Sequence, residues 1–122
     1  MVEKIHAAIH EAGFTDVSVF SDGGNLTAEF TNSRYLSNQK AVGRVLRILL
    51  LHAPSDTKKL AAIVEKRGMP ILKVAVKPNV FEAYLLGDVP EDIFQRLIEV
   101  ETTKEGPDGN DPGIIHTGGK DS

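Results

Sequence analysis

Residues 17–30 constrain the fold more than any other stretch of this chain. Val17 and Val19, then Leu26, Ala28 and Phe30, alternate with polar residues on either side of Asp22-Gly23-Gly24-Asn25. Alternation with period two marks half-buried strands, and the glycine pair supplies the positive φ that a tight hairpin turn demands. The inner face, Val17/Val19 with Leu26/Ala28/Phe30, must be covered by another layer.

Helical patterns flank this hairpin. Val2, Ile5, Ala8, Ile9 and Ala12 fall on one stripe of a helix over 2–12. Gly13 is a left-handed terminator, which would let Phe14 pack back on Ile9. A second helix is expected over 36–52, with Val42, Val45, Leu46 and Leu49 inward and Ala41 and Ile48 beside them. Lys40, Arg44 and Arg47 take its opposite face, Ser37 or Asn32 caps it, and Pro54 stops it. Gly43 costs that helix about 1 kcal/mol relative to alanine. A close approach to the sheet is the expected compensation.

Residues 58–66 admit two readings. Ser55 can cap a helix with Leu60, Ile63 and Val64 inward, or Leu60, Ala62 and Val64 can alternate as a strand that turns at Arg67-Gly68. The hairpin is favoured, because 71–76 has strand character and a tight turn precedes it. Asn79 to Glu82 has capping-box spacing, so a short helix should start there and end at Gly87. Pro90 suits the first turn of another, with Ile93, Phe94 and Leu97 inward. A last strand over 98–102 is expected, and 103–122, almost without apolar residues, should be a disordered tail. The fold class is α+β: a two-layer α/β sandwich of order α-β-β-α-β-β-α(α)-β. Its helices lie on one face of a mainly antiparallel sheet, in one domain over 1–102.

Several chemistries have no support in the residues. The chain of 122 residues contains no cysteine, so disulfides, zinc-cysteine sites and cysteine nucleophiles are excluded. Its apolar runs, Ile48 to Leu51 among them, are far short of the roughly 20 residues that span a bilayer. The N-terminus lacks the unbroken apolar core of a signal peptide. The expectation is a chain that stays where it is made, unless it is one domain of a longer exported protein. His6 and His10 would share one side of the first helix, but no third ligand is evident, and no metal is expected. Gly118-Gly119-Lys120 resembles a phosphate loop in composition but follows no strand and opens no helix. No serine stands in a strand-elbow-helix surround, and no cofactor is implied. A non-enzyme is expected, with a hydrolase as the remote alternative.

Charge is segregated. Ten Lys or Arg residues against two acids lie between Arg34 and Lys77, while the rest of the chain holds four basic residues against fifteen acids. Arg34, Tyr35, Lys40, Arg44 and Arg47, with Lys73 and Lys77 from the outer sheet face, are the candidate binding residues. Phosphates or acidic sugars are their natural ligands. A nucleic-acid reader usually adds stacking aromatics, and only Tyr35 and Phe20 are at hand, so nucleic acid is disfavoured.

Phe30-Thr31-Asn32-Ser33-Arg34-Tyr35, then Ala41-Val42-Gly43-Arg44-Val45-Leu46-Arg47 and Ala53-Pro54, resemble the YjbH-like family of exopolysaccharide and group 4 capsule proteins. The likeness extends through Gly68-Met69-Pro70 and 81–87. It implies a cell-envelope role in Gram-negative bacteria, periplasmic or outer-membrane associated, as a soluble α/β domain of a larger barrel protein. No catalytic residue is carried over. The expected function is a non-enzymatic accessory domain in polysaccharide export, contacting an acidic polysaccharide or a partner protein. The alternative is a cytoplasmic polyanion-binding module using 34–77. Asn32, Tyr35 and Gly43 read as fold determinants: Asn32 sets the helix entry, Tyr35 packs its ring, and Gly43 permits close packing.

Overall fold

Both glycine-containing turns close two-residue hairpins. In the computed structural model, which describes residues 1–33, 37–103 and 115–117 (the last three by their backbone), Gly23 and Gly24 have φ of 59° and 91°. They join β1 (Thr15–Asp22) to β2 (Asn25–Thr31). Arg67 and Gly68, at 55° and 79°, join β3 (Lys59–Lys66) to β4 (Met69–Val76) in the same way. Paired positive φ values match the twist of the strands they connect. The open reading of 58–66 therefore resolves as a strand.

The two hairpins meet through β2 and β3, which run parallel with Leu26 beside Leu60 and Phe30 beside Val64. Parallel neighbours need a crossover, and α2 (Asn38–His52) supplies it. β5 (Glu99–Thr103) pairs with β4, and β6 (Ile115–Thr117) with β5, both antiparallel. The described sheet has the order β1-β2-β3-β4-β5-β6. The segment 103–122, expected as a tail, thus contributes Thr103 to β5 and 115–117 to β6. Its other residues, 104–114 and 118–122, lie outside the described ones.

Helices cover one face. α1 (Val2–Glu11) packs on β1 and on α2, and α2 lies over β2 and β3. α1 ends as its sequence predicts. Gly13, at φ 106°, donates its N–H to His10 while Phe14 N–H reaches the Ile9 carbonyl, the paired bonds of a Schellman motif. Ser37 caps α2 by accepting from the Lys40 N–H at 3.2 Å. The amide of Asn32 donates to the Asn38 side chain at 2.9 Å, so it fixes the helix entry by a side-chain bond.

The core is the covered face of the sheet and the inner stripes of α1 and α2. Ile5, Ile9, Leu26, Ala28, Phe30, Val45, Leu49, Leu60 and Val64 are fully buried there. Phe14 and Phe30 meet edge to face, centroids 4.9 Å apart. The other face carries Thr27, Glu29, Ile63, Glu65, Lys73, Glu99 and Glu101 in register, together with Phe20. There Lys59 reaches Glu99 at 3.0 Å, from β3 to β5 across β4.

Two local expectations are corrected between β4 and β5. α3 is Pro78–Leu85 with Lys77 at its N-cap and no side-chain cap bond, so Asn79 is inside the helix and forms no capping box. Proline at the first helical position has its φ preset and needs no donor, which moves the start one residue upstream. In α4 (Glu91–Leu97) only Phe94 is buried, and Ile93 and Leu97 are 37% and 49% exposed. Phe94 is the inward position of this short helix because it packs on Phe81 and Tyr84 of α3.

Candidate functional site

α3 and α4 stand apart from α2, and the space between them is a groove on the helical face of the sheet. It has a volume of about 360 Å³. Its floor is apolar: Leu72, Val74 and Val100 from the sheet, with Val42 and Leu46 of α2 as one wall. Phe81, Tyr84 and Phe94 make the facing wall. Tyr84 stacks on Phe94 with centroids 3.8 Å apart and planes 9° from parallel, and Phe81 lies 6.1 Å from Phe94.

Polar groups are confined to the two lips. On the α2 side Gln39, Gly43 and Arg47 recur every fourth residue, a stripe along the groove edge. On the other side the Tyr84 hydroxyl donates to Glu91 Oε1 at 2.5 Å, and Gln95 donates to Glu91 Oε2 at 2.7 Å. The bond from Tyr84, then that from Gln95, holds the Glu91 carboxyl below the usual range, against a small opposing effect of desolvation. Tyr84 is raised for the complementary reasons: its bond to Glu91, some desolvation and the charge of Glu91, opposed by Arg47. Arg47 and Tyr84 both line the groove, on its opposite lips.

Gly43 has a role different from the expected one. A Cβ built there meets no atom within 4 Å, so the glycine does not permit a close helix-sheet contact. It faces the groove and leaves it open. Its backbone is ordinary helix, so neither strain nor crowding calls for glycine at this position.

The sequence-derived binding residues fall in three places. Lys40, Arg44 and Arg47 are exposed along one side of α2, and Arg47 alone also lines the groove. Lys73 projects from the uncovered face of the sheet, beside Ile63 and Glu101, and Lys77 is the exposed N-cap residue of α3. The sheet itself separates Lys73 from the α2 cations. Arg34 and Tyr35 lie outside the described residues. The aromatic lip of Phe81, Tyr84 and Phe94 with Glu91 and Gln95 was not identified as a site from sequence. Its one signal was the three-residue spacing of Phe81 and Tyr84, which reads equally as core.

On the uncovered face Glu29, Glu65 and Asp16 gather near one end of β2 and β3. Desolvation, then the repulsion and hydrogen bond of Glu29 and the charge of Asp16, push the Glu65 carboxyl above its ordinary value. Asp16, at φ 52°, sits in the β1 bulge and accepts from the Thr31 hydroxyl at 3.2 Å.

The fold and groove define a two-layer α+β domain with a preformed, largely apolar cleft beside an arginine. The chain belongs to the YjbH family, described as exopolysaccharide biosynthesis protein YbjH, whose family model matches residues 1–114. It is thereby associated with exopolysaccharide biosynthesis. No curated protein and no solved structure matches the chain. Among the described residues no helix is long and apolar enough to cross a membrane.

Proposed function

We propose that this chain is a non-enzymatic interaction domain of the exopolysaccharide machinery, working in the cell envelope, and that the groove beside α2 is its binding site. The observation that carries this reading is Gly43. A mid-helix glycine costs about 1 kcal/mol, and here neither packing nor backbone strain accounts for it. The open space it leaves in the groove does. Preformed apolar clefts with a few polar groups at the rim are the usual form of a binding site.

The lining favours a partner protein over a polysaccharide as the occupant. A floor of Leu72, Val74 and Val100 would strip water from sugar hydroxyls and return no hydrogen bonds. An aliphatic or aromatic side chain fits that floor, and an adjacent carboxylate of the partner would meet Arg47 at the lip. Titrating the isotope-labelled domain with a capped peptide carrying phenylalanine next to glutamate, and separately with a hexuronate oligosaccharide, tests this. The reading expects peptide-induced shifts at Gly43, Val74 and Tyr84 that Gly43→Leu removes. Shifts with the oligosaccharide alone, centred on Lys40 and Arg44, would sink it.

Those cations support a second reading, a polyanion-binding face on α2. Lys40, Arg44 and Arg47 share one exposed stripe. Binding by that face alone would weaken steeply with salt, whereas occupation of the apolar groove would depend on salt weakly.

A further inference from the structure

The two ends of the sheet are unlike. β6 is three residues long, whereas β1 runs for eight, and no described element pairs with its outer edge. Proteins ordinarily blunt a long edge with lysine, proline, a bulge or a cover. β1 contains no lysine, arginine or proline. Its bulge lies between Thr15 and Ser18, and the stretch beyond it is regular.

The hairpin register identifies the free groups. Asp22 and Asn25 flank a two-residue turn and therefore form a hydrogen-bonded pair, and such pairs recur at every second residue. Phe20 and Ser18 thus direct N–H and C=O toward β2, and Val19 and Ser21 direct theirs outward. Beside them Phe20, 44% exposed, offers an apolar side chain on the uncovered face of the sheet.

Charge selects the occupant. Residues 1–33 hold five acids, among them Asp16 and Asp22 in β1 itself, against the single base Lys4. A second copy docked antiparallel about Val19 would set Asp16 against Asp22 of the other chain at both ends, a repulsive arrangement. A strand with basic ends would instead complement both aspartates. We infer that the outer edge of β1 is a docking site for an extended polypeptide segment, apolar in its alternate positions and basic at its ends, which adds a strand to the sheet. Main-chain bonds to Val19 and Ser21 would supply affinity, and Asp16, Phe20 and Asp22 would supply selection. This surface is independent of the groove.

The test uses two capped seven-residue peptides of alternating valine and threonine, one ended by lysines and the other by glutamates, with amide exchange read residue by residue. The lysine-ended peptide is expected to slow exchange at Val19 and Ser21 at least tenfold and to leave Phe20, already bonded to β2, unchanged. The glutamate-ended peptide is expected to do neither. Ser21→Pro, which removes an outward N–H only, should abolish protection, and Asp22→Asn should weaken it while the circular dichroism stays native. Three results would overturn the inference: no protection by either peptide, equal protection by both, or sedimentation showing a dimer of the chain alone with Val19 and Ser21 already protected.

Discussion

The Tyr84 hydroxyl donates a 2.5 Å hydrogen bond to Glu91, tying the last turn of α3 to the first turn of α4. Because Tyr84 also stacks on Phe94, this single bond orients one whole lip of the groove. Tyr84→Phe keeps the stack and removes the bond. Glu91 should then titrate nearer the ordinary glutamate range, and its carboxyl resonance followed against pH measures the change. The bond has two pH limits. Glu91 is lowered, so its contribution is present above the unfolded value and is lost as pH falls through the folded one. Tyr84 is raised, so its contribution is complete below about pH 10 and is lost as pH rises through the folded value.

Gly43→Ala should stabilise the domain. The added Cβ meets open space and the backbone is ordinary helix, so the full propensity difference of about 0.5–1 kcal/mol is gained. Urea denaturation with an unchanged m-value would register it. A loss of stability would contradict the open space beside Gly43.

Phe30→Ala should cost about 3–5 kcal/mol, the range for a fully buried phenylalanine. Phe30 contacts Phe14 in the centre of the core and lies between Val64 on β3 and the bulged start of β1. Phe20→Ser, on the uncovered face, should stay within about 0.5 kcal/mol of the parent. Thermal melts of the two variants check whether the core lies on the helical face alone.

Glu65→Gln should raise stability at neutral pH by up to about 0.5 kcal/mol, the usual range outside a core. The sign follows from the raised carboxyl: the folded state binds the proton more tightly, so stability is fully present below the unfolded value and declines as pH rises through the folded one. The advantage of the variant should therefore vanish below about pH 4, where the unfolded glutamate is also protonated. Melts at pH 3.5 and pH 7 separate this from a pH-independent packing effect.

Much of the architecture was legible because it rests on local rules. Period-two alternation set the faces of β1 and β2, paired positive φ at Gly23-Gly24 and Arg67-Gly68 closed both hairpins, and Gly13 ended α1 with the expected bonds. The misreadings arose where two local signals competed or where tertiary placement decided. Pro78 overrode the capping spacing of Asn79 and Glu82, and of the three apolar residues of α4 only Phe94 is buried, while Ile93 and Leu97 are exposed. The groove was not legible. It exists because α3 and α4 settle over β4 and β5 at a distance from α2, and no short-range pattern in either segment records that gap. The helical cost of Gly43 is legible in the sequence, whereas the open space beside it depends on where α3 and α4 settle.

The most direct test of the central claim is exopolysaccharide output from cells carrying Gly43 variants of the full-length protein, with protein level measured alongside. Gly43→Ala, which puts one methyl group into the groove, should reduce output by less than Gly43→Leu does. Gly43→Leu, whose side chain would extend into the groove, should reduce output at least tenfold while the protein accumulates normally and melts no lower than the parent. Normal output from a stable Gly43→Leu protein would contradict the account, because a blocked groove would then be without consequence.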